Sequence, residues 1–416
     1  MRIAFFVYEY PPAIVGGLGT YATYITRTLV RQGHDVVVFT MNQGGVLKTR
    51  EVIGGVEVHR PIGVDASNVF PLLVNEELRQ WGSFFNDIFI YNILSAAKFV
   101  NQVMKEEDAR FDIVAVHDWL SAVAGLVVRN ETDLPVVFHV HSTEWGRRGG
   151  AGSPFVGRLE QEMAFQAHRI LTVSHAMKDD LNRHGWPPAK VSVVWNGVDP
   201  EVYDPTRVPK EEIQELRSRY GVGPEDIMIL FIGRLTWVKG VRNLIQAMPA
   251  VLETYPNTKL VILGKGEEQH DIEELIHRLG LTGKVITHYA FVSEWERIVH
   301  YAAADLCVFP SVYEPFGIVS LEAMAMARPV VVGANGVVGF REQVVPSGSD
   351  QNGVHVNGND PGDIAWGIKV VLEDRSRARE MGAKGRTRVQ RYFTWEQVAA
   401  QTADVYRQVI AEVGHA

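Results

Sequence analysis

Short apolar segments alternate with longer amphipathic segments along most of the chain. The apolar segments are nearly uninterrupted and rich in valine, isoleucine and phenylalanine, as is typical of parallel strands covered on both faces. The segments between them repeat apolar residues at helical spacing. The pattern therefore predicts an α/β protein built on parallel sheets.

The predicted strands fall into two groups. Those of the first half are residues 3–8, 35–40, 113–117, 136–141, 169–173 and 191–194. Those of the second half are residues 228–233, 258–264, 285–289, 306–310 and 330–333. Residues 196–205 between the groups are rich in turn formers. We predict two Rossmann-like domains, residues 1–200 and 201–395, followed by an amphipathic helix over 396–416.

Two glutamates flank a predicted strand-to-helix junction in the second half. The strand 306–310 leads into a loop that reaches Glu314, and the helix that follows carries Glu322. The N–H groups of residues 318–320 at the helix start lack intrahelical partners, so they can bind an anion. Carboxylates beside them can bind polyhydroxyl groups, which together suits a nucleotide sugar. The alternative is an ordinary junction whose acids are solvated or cap the helix.

Two cations follow another predicted strand, in the segment that runs from Gly233 to Gly240. The turn after the strand allows Arg234 and Lys239 to approach the same point. A planar guanidinium and a compact ammonium suit a diphosphate, and placed cations stabilise the charge that develops on a leaving diphosphate. The alternative is a solvated arginine and lysine at a helix start.

These two segments resemble the Glu-x7-Glu and Gly-Arg-x4-Lys-Gly signatures of retaining GT-B glycosyltransferases, the group that includes glycogen and starch synthases and sucrose synthases. The resemblance covers essentially the whole chain. It implies two Rossmann-like domains that face each other across a cleft, with the C-terminal helix crossing back to the first domain. It implies catalytic roles for Arg234, Lys239 and Glu314. The donor-binding residues it implies here are Gly233, Phe316, Gly317, Ile318, Val319, Ser320 and Glu322.

Histidines end two predicted strands of the first half. His141 ends strand 136–141, and the resemblance implies a catalytic position near the donor sugar's 6-hydroxyl; the alternative is a partly buried histidine bonded to backbone. His117-Asp118-Trp119 resembles the His-Asp-Trp element of glycogen and starch synthases, which implies that His117 and Asp118 bind the acceptor. The alternative is a helix-capping aspartate and a packing tryptophan.

A glycine-rich turn follows the first predicted strand. Gly16 and Gly17 allow a ligand to approach the backbone closely, so we expect them to bind the donor. Glu9, at the start of the turn, is expected to bind the acceptor. Bacterial glycogen synthases have a lysine where this chain has Ile14, a departure that weakens the assignment to ADP-glucose enzymes.

Composition narrows the possible partners. The net charge is −8, without a block of lysine or arginine, which argues against a nucleic-acid partner. We expect no stable membrane insertion, because no segment approaches the roughly 20 apolar residues of a membrane helix. The single cysteine, Cys307, and an N-terminal apolar run too short for a signal peptide indicate a cytoplasmic protein. The oligomeric state stays open.

The sequence favours chemistry without a metal ion or other cofactor. It has no Asp-x-Asp pair, the usual diphosphate-metal ligand of metal-dependent glycosyltransferases. Strand alternation puts His139 and His141 on one face, but further ligands beside them are missing. Arg234 and Lys239 would replace the cation.

The expected function is a retaining transfer of a hexose, with glucose favoured, from ADP-glucose or UDP-glucose to an α-glucan. Two other transferase functions stay open: one makes a disaccharide, and the other extends a lipid-linked or cell-wall glycan. Alternatives of another class are a GT-B nucleotide-sugar epimerase and a glucan-binding protein without turnover.

Overall fold

The computed structural model describes residues 1–14, 16–66, 68–73, 76–79 and 81–414. The chain divides into two compact units. The first unit comprises Met1–Val173, Lys178–Trp195 and Trp395–Ala416, and the second comprises Ser174–Met177 and Asn196–Thr394. Residues 196–200, placed in the first domain from sequence, therefore pack with the second unit.

The first unit contains an eight-stranded sheet in the order β3-β4-β2-β1-β5-β6-β7-β8. Every neighbouring pair is parallel except β3 and β4, which pair antiparallel. The strands are β1 (Arg2–Phe6), β2 (Asp35–Phe39), β3 (Arg50–Ile53), β4 (Val56–His59), β5 (Ile113–His117), β6 (Val136–Val140), β7 (Arg169–Thr172) and β8 (Val191–Val193). The hairpin β3–β4 was not predicted from the sequence, because β3 is a half-exposed edge strand with no apolar run.

The helices of the first unit connect these strands and close the chain. They are α1 (Gly17–Arg31), α2 (Phe70–Leu73), α3 (Glu76–Arg79), α4 (Ser83–Ala97), a π-helical stretch (Lys98–Glu106), α5 (Ala122–Glu131), α6 (Glu144–Arg147), α7 (Pro154–Gln166), α8 (His175–Arg183), whose first turn counts with the second unit, and α17 (Trp395–Gly414). Short 3-10 turns lie at Gln43–Gly45, Trp119–Ser121 and Pro188–Lys190.

The C-terminal helix α17 packs on the first unit, as predicted. Its first residue, Trp395, stacks on Tyr24 of α1, with ring centroids 5.5 Å apart and planes 6° apart. Farther along, the Tyr406 hydroxyl lies 2.8 Å from Nε2 of His139 in β6. Arg169 of β7 forms an ion pair with Glu412 at 2.6 Å. The prediction that the last helix returns to the first domain is confirmed.

The second unit contains a six-stranded, fully parallel sheet in the order β11-β10-β9-β12-β13-β14. The strands are β9 (Ile227–Ile232), β10 (Thr258–Leu263), β11 (Val285–His288), β12 (Leu306–Phe309), β13 (Val330–Gly333) and β14 (Gly353–Val356). Strand β14 is absent from the sequence prediction. It is short, it starts with glycine, and the polar residues before it are typical of a loop.

The helices of the second unit are α9 (Lys210–Arg219), α10 (Val241–Thr254), α11 (Gln269–Arg278), α12 (Glu294–Ala303), α13 (Ile318–Ala325), α14 (Phe340–Gln343), α15 (Pro361–Leu372) and α16 (Arg375–Tyr392). Short 3-10 turns lie at Pro205–Arg207 and Trp237–Lys239. Among all the helices described, none joins enough length to enough apolar character to span a bilayer.

Each sheet has one point where the strand order reverses. Strand β1 lies between β2 and β5 in the first sheet, and β9 lies between β10 and β12 in the second. Ligands of open parallel sheets bind outside the carboxyl ends of the strands at such points. The loops after β1, β5, β9 and β12 carry most of the site residues predicted from sequence.

Candidate active site

A glycine fixes the junction between β12 and α13. Gly317 has a φ of 88°, in the left-handed region, and α13 begins at the next residue. A Cβ on this glycine would lie 2.0 Å from Cε1 of Phe340. Nε2 of Gln343 donates to the Phe316 carbonyl at 2.7 Å, which fixes the turn from the other side. The backbone at the helix start is therefore held in one conformation.

The predicted donor-binding residues of this junction differ in exposure. Gly317, Ile318 and Val319 are half-exposed, so the backbone there is accessible to a ligand. Phe316 is 2% exposed and its ring lies 6.2 Å from that of Phe393. Ser320 is buried, and its hydroxyl has no hydrogen-bond partner among the described residues. The structure thus allows Phe316 to act on a donor only through its backbone.

Lys239 and Glu314 meet beside this junction. Gly240 has a φ of 69°, and a Cβ on it would lie 2.2 Å from the Pro310 carbonyl oxygen, so only glycine allows this approach. Nζ of Lys239 forms an ion pair with Oε2 of Glu314. Glu314 is 8% exposed, and its carbonyl accepts from the Gly339 N–H at 2.8 Å.

Arg234 differs from Lys239 in its surroundings. It follows Gly233 at the carboxyl end of β9, and its side chain is exposed. Its carbonyl accepts from the Thr236 N–H at 3.0 Å, but in the described part of the chain its guanidinium has no hydrogen bond or ion pair. Its guanidinium is thus available to an anion, whereas the ammonium of Lys239 is already paired with Glu314.

Glu322 lies one turn into α13 and is 5% exposed. Both carboxylate oxygens accept hydrogen bonds from tyrosine hydroxyls, those of Tyr203 and Tyr301, each at 2.8 Å. Sequence reasoning missed both tyrosines. Tyr203 is 119 positions away along the chain, and no local pattern links it to the glutamate.

In the first unit, Asp118 fixes the backbone that carries His141. Its Oδ1 accepts from the His141 N–H at 2.7 Å and from the Ser142 N–H at 3.4 Å. Asp118 has a φ of 52°, an uncommon conformation for a residue other than glycine, and is 4% exposed. Burial raises its pKa to about 6. One carboxylate oxygen of Asp118, which was predicted to bind the acceptor substrate, therefore holds the loop after β6.

The His141 imidazole packs against Tyr21, with ring centroids 4.4 Å apart. Its Nε2 is buried and has no hydrogen-bond partner among the described residues. Burial lowers its pKa to about 3. The ring is therefore neutral near pH 7. In this state Nε2 can accept or donate one hydrogen bond, depending on the tautomer, but the ring cannot act as an imidazolium acid.

His117 is fully buried, which does not fit the expectation that its side chain binds the acceptor. Its Nδ1 lies 3.0 Å from the Phe6 carbonyl, and its ring stacks on His139. Burial lowers its pKa well below the ordinary value. Its imidazole contacts protein on all sides, because β5 lies at the centre of the sheet.

Within the described residues, one group of side chains could hold a metal ion. It comprises His117, His139 and His141, whose ligand atoms lie within 4.8 Å of one another. The His117 and His139 rings are 24° from parallel and 4.4 Å apart, so their nitrogens point side by side rather than at a common point. Both nitrogens of His139 also lie near tyrosine hydroxyls, at 2.8 and 3.5 Å. These orientations do not fit a tetrahedral metal centre, whose ligand lone pairs converge.

A buried acid supports the loop after His141. Glu160 of α7 is 1% exposed and accepts from the Glu144 N–H at 3.0 Å. Arg147 lies between the two carboxylates, 3.4 Å from Glu144 and 4.0 Å from Glu160, and also donates to Ser142. Burial raises the pKa of Glu160 to about 8. This residue was missed from sequence, because a polar position in a helix pattern does not reveal its burial.

The glycine-rich turn after β1 is tied to Glu9. The Gly16 N–H donates to Oε2 of Glu9 at 2.9 Å, just before α1 begins at Gly17. Glu9 is 8% exposed. Gly17 is exposed, and a Cβ there would meet nothing within 4 Å. The structure brings Glu9 and Gly16 together, and it leaves the backbone at Gly17 open.

Two family models match the chain. "Glycosyltransferase Family 4" matches residues 15–202, and "Glycosyl transferases group 1" matches residues 212–388.

Several proteins are similar over nearly the full length. An uncharacterized glycosyltransferase of Methanocaldococcus jannaschii is 35% identical, with 100% of each chain covered. A glycogen synthase of Mycobacterium tuberculosis is 29% identical over 98% of this chain and 94% of that one. An alpha-maltose-1-phosphate synthase of Mycolicibacterium smegmatis is 30% identical over 99% of this chain and 100% of that one.

Solved structures share the fold. A sucrose-phosphate synthase of Thermosynechococcus elongatus is 23% identical, covers 99% of both chains and has a TM-score of 0.79. Anabaena HepE, in complex with UDP-glucose, is 21% identical, covers 98% of this chain and 100% of that one, and has a TM-score of 0.75. The two-domain parallel α/β fold predicted from sequence is confirmed.

Gly317→Ala should destabilise the second unit more than Gly280→Ala does. Both positions have positive φ, 88° and 65°, so an alanine at either costs about 1–2 kcal/mol. A Cβ meets nothing within 4 Å at Gly280, whereas at Gly317 it collides with Phe340, which adds about 1–3 kcal/mol. Free energies of unfolding from denaturant titration measure the difference. Equal losses would show that the junction relaxes around the methyl group.

Glu160→Gln should remove a pH dependence of stability. With a folded pKa of about 8 and an ordinary unfolded one, folded wild type binds a proton that the unfolded chain lacks between about pH 4.5 and 8. Wild-type stability should therefore fall, relative to the variant, by at most about 1.4 kcal/mol per unit as pH rises through this window. Denaturant titrations at several pH values measure it, with exposed Glu162→Gln as control. A pH-independent difference would contradict a neutral Glu160.

Proposed function

The chain belongs to the GT-B glycosyltransferases, with domains of family 4 and group 1, and from this premise we propose that it moves a hexose from a nucleotide diphosphate sugar to a carbohydrate acceptor, with retention of configuration and without a metal ion. One observation carries the proposal. The Lys239–Glu314 ion pair lies next to the half-exposed start of α13, so a cation, a carboxylate and the N–H groups of the helix start meet at the carboxyl ends of the neighbouring strands β9 and β12.

The second domain would bind the donor. The N–H groups at the start of α13 and the exposed Arg234 would bind the diphosphate, since helix N-termini and guanidinium groups both bind phosphate oxygens. Lys239 would stabilise the charge of the leaving diphosphate. Glu322 would bind the ribose and Glu314 the sugar hydroxyls. We favour UDP-glucose or ADP-glucose, and the HepE complex with UDP-glucose supports the former.

The proposed reaction needs no enzyme nucleophile. The bond between the anomeric carbon and the phosphate oxygen breaks, and the acceptor oxygen bonds to that carbon from the same face. The acceptor proton passes to the departing phosphate. Glu314 is held by Lys239 and would act through hydroxyl contacts rather than as a nucleophile. Neutral His141 of the first domain would hydrogen bond to the sugar rather than protonate it.

For the acceptor we propose an α-glucan. The similarity to a glycogen synthase supports this choice, and Glu9 supplies a carboxylate for acceptor hydroxyls at the first domain's strand ends. A sugar phosphate is the second candidate, because the similar synthase from M. smegmatis is named for maltose 1-phosphate. Arg148, 66% exposed in the loop after His141, could pair with such a phosphate.

A donor-by-acceptor screen tests the function. UDP-, ADP- and GDP-glucose would each be incubated with glycogen, maltooligosaccharides, glucose 1-phosphate and glucose 6-phosphate. We expect maltooligosaccharides to grow into a ladder with α-linked products by NMR. A single disaccharide phosphate product would move the acceptor to sugar phosphates. Donor epimerisation without any acceptor would contradict the transferase function, and β-linked products would contradict retention.

Lys239→Ala and Arg234→Ala should each lower turnover by about a hundredfold or more, because each removes a charge that stabilises the leaving diphosphate. Arg242→Ala is the matched control, since Arg242 is an exposed cation of the same domain that pairs with Asp271 at 3.4 Å. Wild-type activity should persist in EDTA. Strict dependence on added Mg²⁺ or Mn²⁺ would contradict the metal-free mechanism.

Glu322→Gln and Glu314→Gln should affect different kinetic constants. A ribose contact is made equally in the ground and transition states, so Glu322→Gln should raise the donor KM with little change in kcat. Glu314→Gln should lower kcat more than it raises the donor KM. Steady-state kinetics at saturating acceptor distinguish them. An equal rise of KM in both variants, with kcat unchanged, would contradict separate roles.

A further inference from the structure

The segment after residue 195 carries Tyr203, whose hydroxyl contacts Glu322, the proposed ribose ligand. Oδ1 of Asp199 accepts from the N–H groups of Glu201 and Val202 at 2.9 and 3.2 Å, which closes a tight turn. The Tyr203 N–H then donates to the Asp199 carbonyl at 2.9 Å. This local hydrogen bonding explains why Tyr203 leaves the turn in one direction.

Arg386 of α16 fixes the same segment from the other side. Its guanidinium donates to the carbonyls of Tyr203 and Pro200 at 2.9 and 3.2 Å. It also forms an ion pair with Asp204 at 3.0 Å. The backbone of Tyr203 is therefore anchored before its side chain makes any contact.

Two tyrosines from different segments of the second domain hold the Glu322 carboxylate. Tyr203 comes from this turn and donates to Oε1, and Tyr301 comes from α12 and donates to Oε2, both at 2.8 Å. Tyr203 is 2% exposed and Tyr301 is fully buried. One donor on each oxygen fixes the rotation of the carboxylate plane.

Arg297 of α12 completes the cluster. It donates to the Tyr203 hydroxyl at 3.0 Å, and its Nη2 lies 3.6 Å from Oε1 of Glu322. Glu294 offers the Tyr203 hydroxyl a second, longer acceptor at 3.4 Å. Burial, followed by the charge of Glu322, raises the pKa of both tyrosines well above the ordinary value, so both stay hydroxyl donors at neutral pH.

We propose that Tyr203 and Tyr301 are positioning residues that fix Glu322 for the two hydroxyls of the donor ribose. The inference rests on the proposed ribose role of Glu322 and deepens it. A carboxylate oxygen has two lone-pair directions, so each oxygen can accept a tyrosine and a ribose hydroxyl together. A carboxylate already held in place loses less rotational freedom when the ligand binds.

The test compares binding of UDP or ADP, whichever binds more tightly, with its 2′,3′-dideoxy analogue by calorimetry. Wild type should prefer the natural nucleotide about tenfold or more. Tyr203→Phe and Tyr301→Phe should each weaken the natural nucleotide about three- to tenfold, the loss of one positioning hydrogen bond, and leave the dideoxy analogue nearly unchanged. The donor KM should rise while kcat stays within about twofold.

Tyr220→Phe is the matched control. Its hydroxyl lies 2.9 Å from Nε2 of His300, the residue before Tyr301, in the same domain. It should lose neither affinity nor ribose preference. Melting temperatures of all three variants report folding.

Equal weakening of both nucleotides in the Tyr203 and Tyr301 variants, or no weakening, would overturn the positioning role. Wild type that binds both nucleotides equally, with transferase activity intact, would also overturn it and would leave the proposed function standing. If the screen detects no transfer, but wild type prefers the natural nucleotide and the tyrosine variants lose that preference, the proposed function is overturned and the positioning role stands.

Discussion

The close approach of Gly240 to the end of β12 organises the candidate site of the second domain. Only a glycine in the left-handed region can lie against the Pro310 carbonyl, and this contact brings the turn that carries Lys239 to the loop that carries Glu314. Gly317 repeats the constraint three residues after Glu314. Because both glycines are fixed by packing, the cation, the carboxylate and the start of α13 share one place without depending on a mobile loop.

The candidate site residues of the two domains differ in electrostatic character. The second domain places charged groups at its strand ends, as a diphosphate requires. The first domain buries neutral imidazoles, and burial lowers the pKa of His141 to about 3. Its buried acidic residues, Asp118 and Glu160, accept hydrogen bonds from backbone N–H groups of the loop after His141 and of α6. Under the proposed function, the charged residues of the second domain would stabilise the leaving group.

Much of the fold follows from the sequence, because parallel strands are apolar throughout and leave a local signal. The junction at Gly317 was predicted because it follows the apolar strand β12, whereas the return of the last helix was implied only by the resemblance to GT-B glycosyltransferases. Strand β14 and the β3–β4 hairpin leave weaker signals, because they are short or half-exposed. The burial of His117 and the contacts of Tyr203 and Glu160 depend on residues distant in sequence, and no spacing rule reveals them.

The most direct measurement is a crystal structure of the protein with UDP-glucose or ADP-glucose bound. We expect the diphosphate within hydrogen-bond distance of Lys239 and the N–H groups at the start of α13, with the ribose on Glu322. A diphosphate bound instead at Gly16 and Gly17, with no ribose contact at Glu322, would contradict the proposed function.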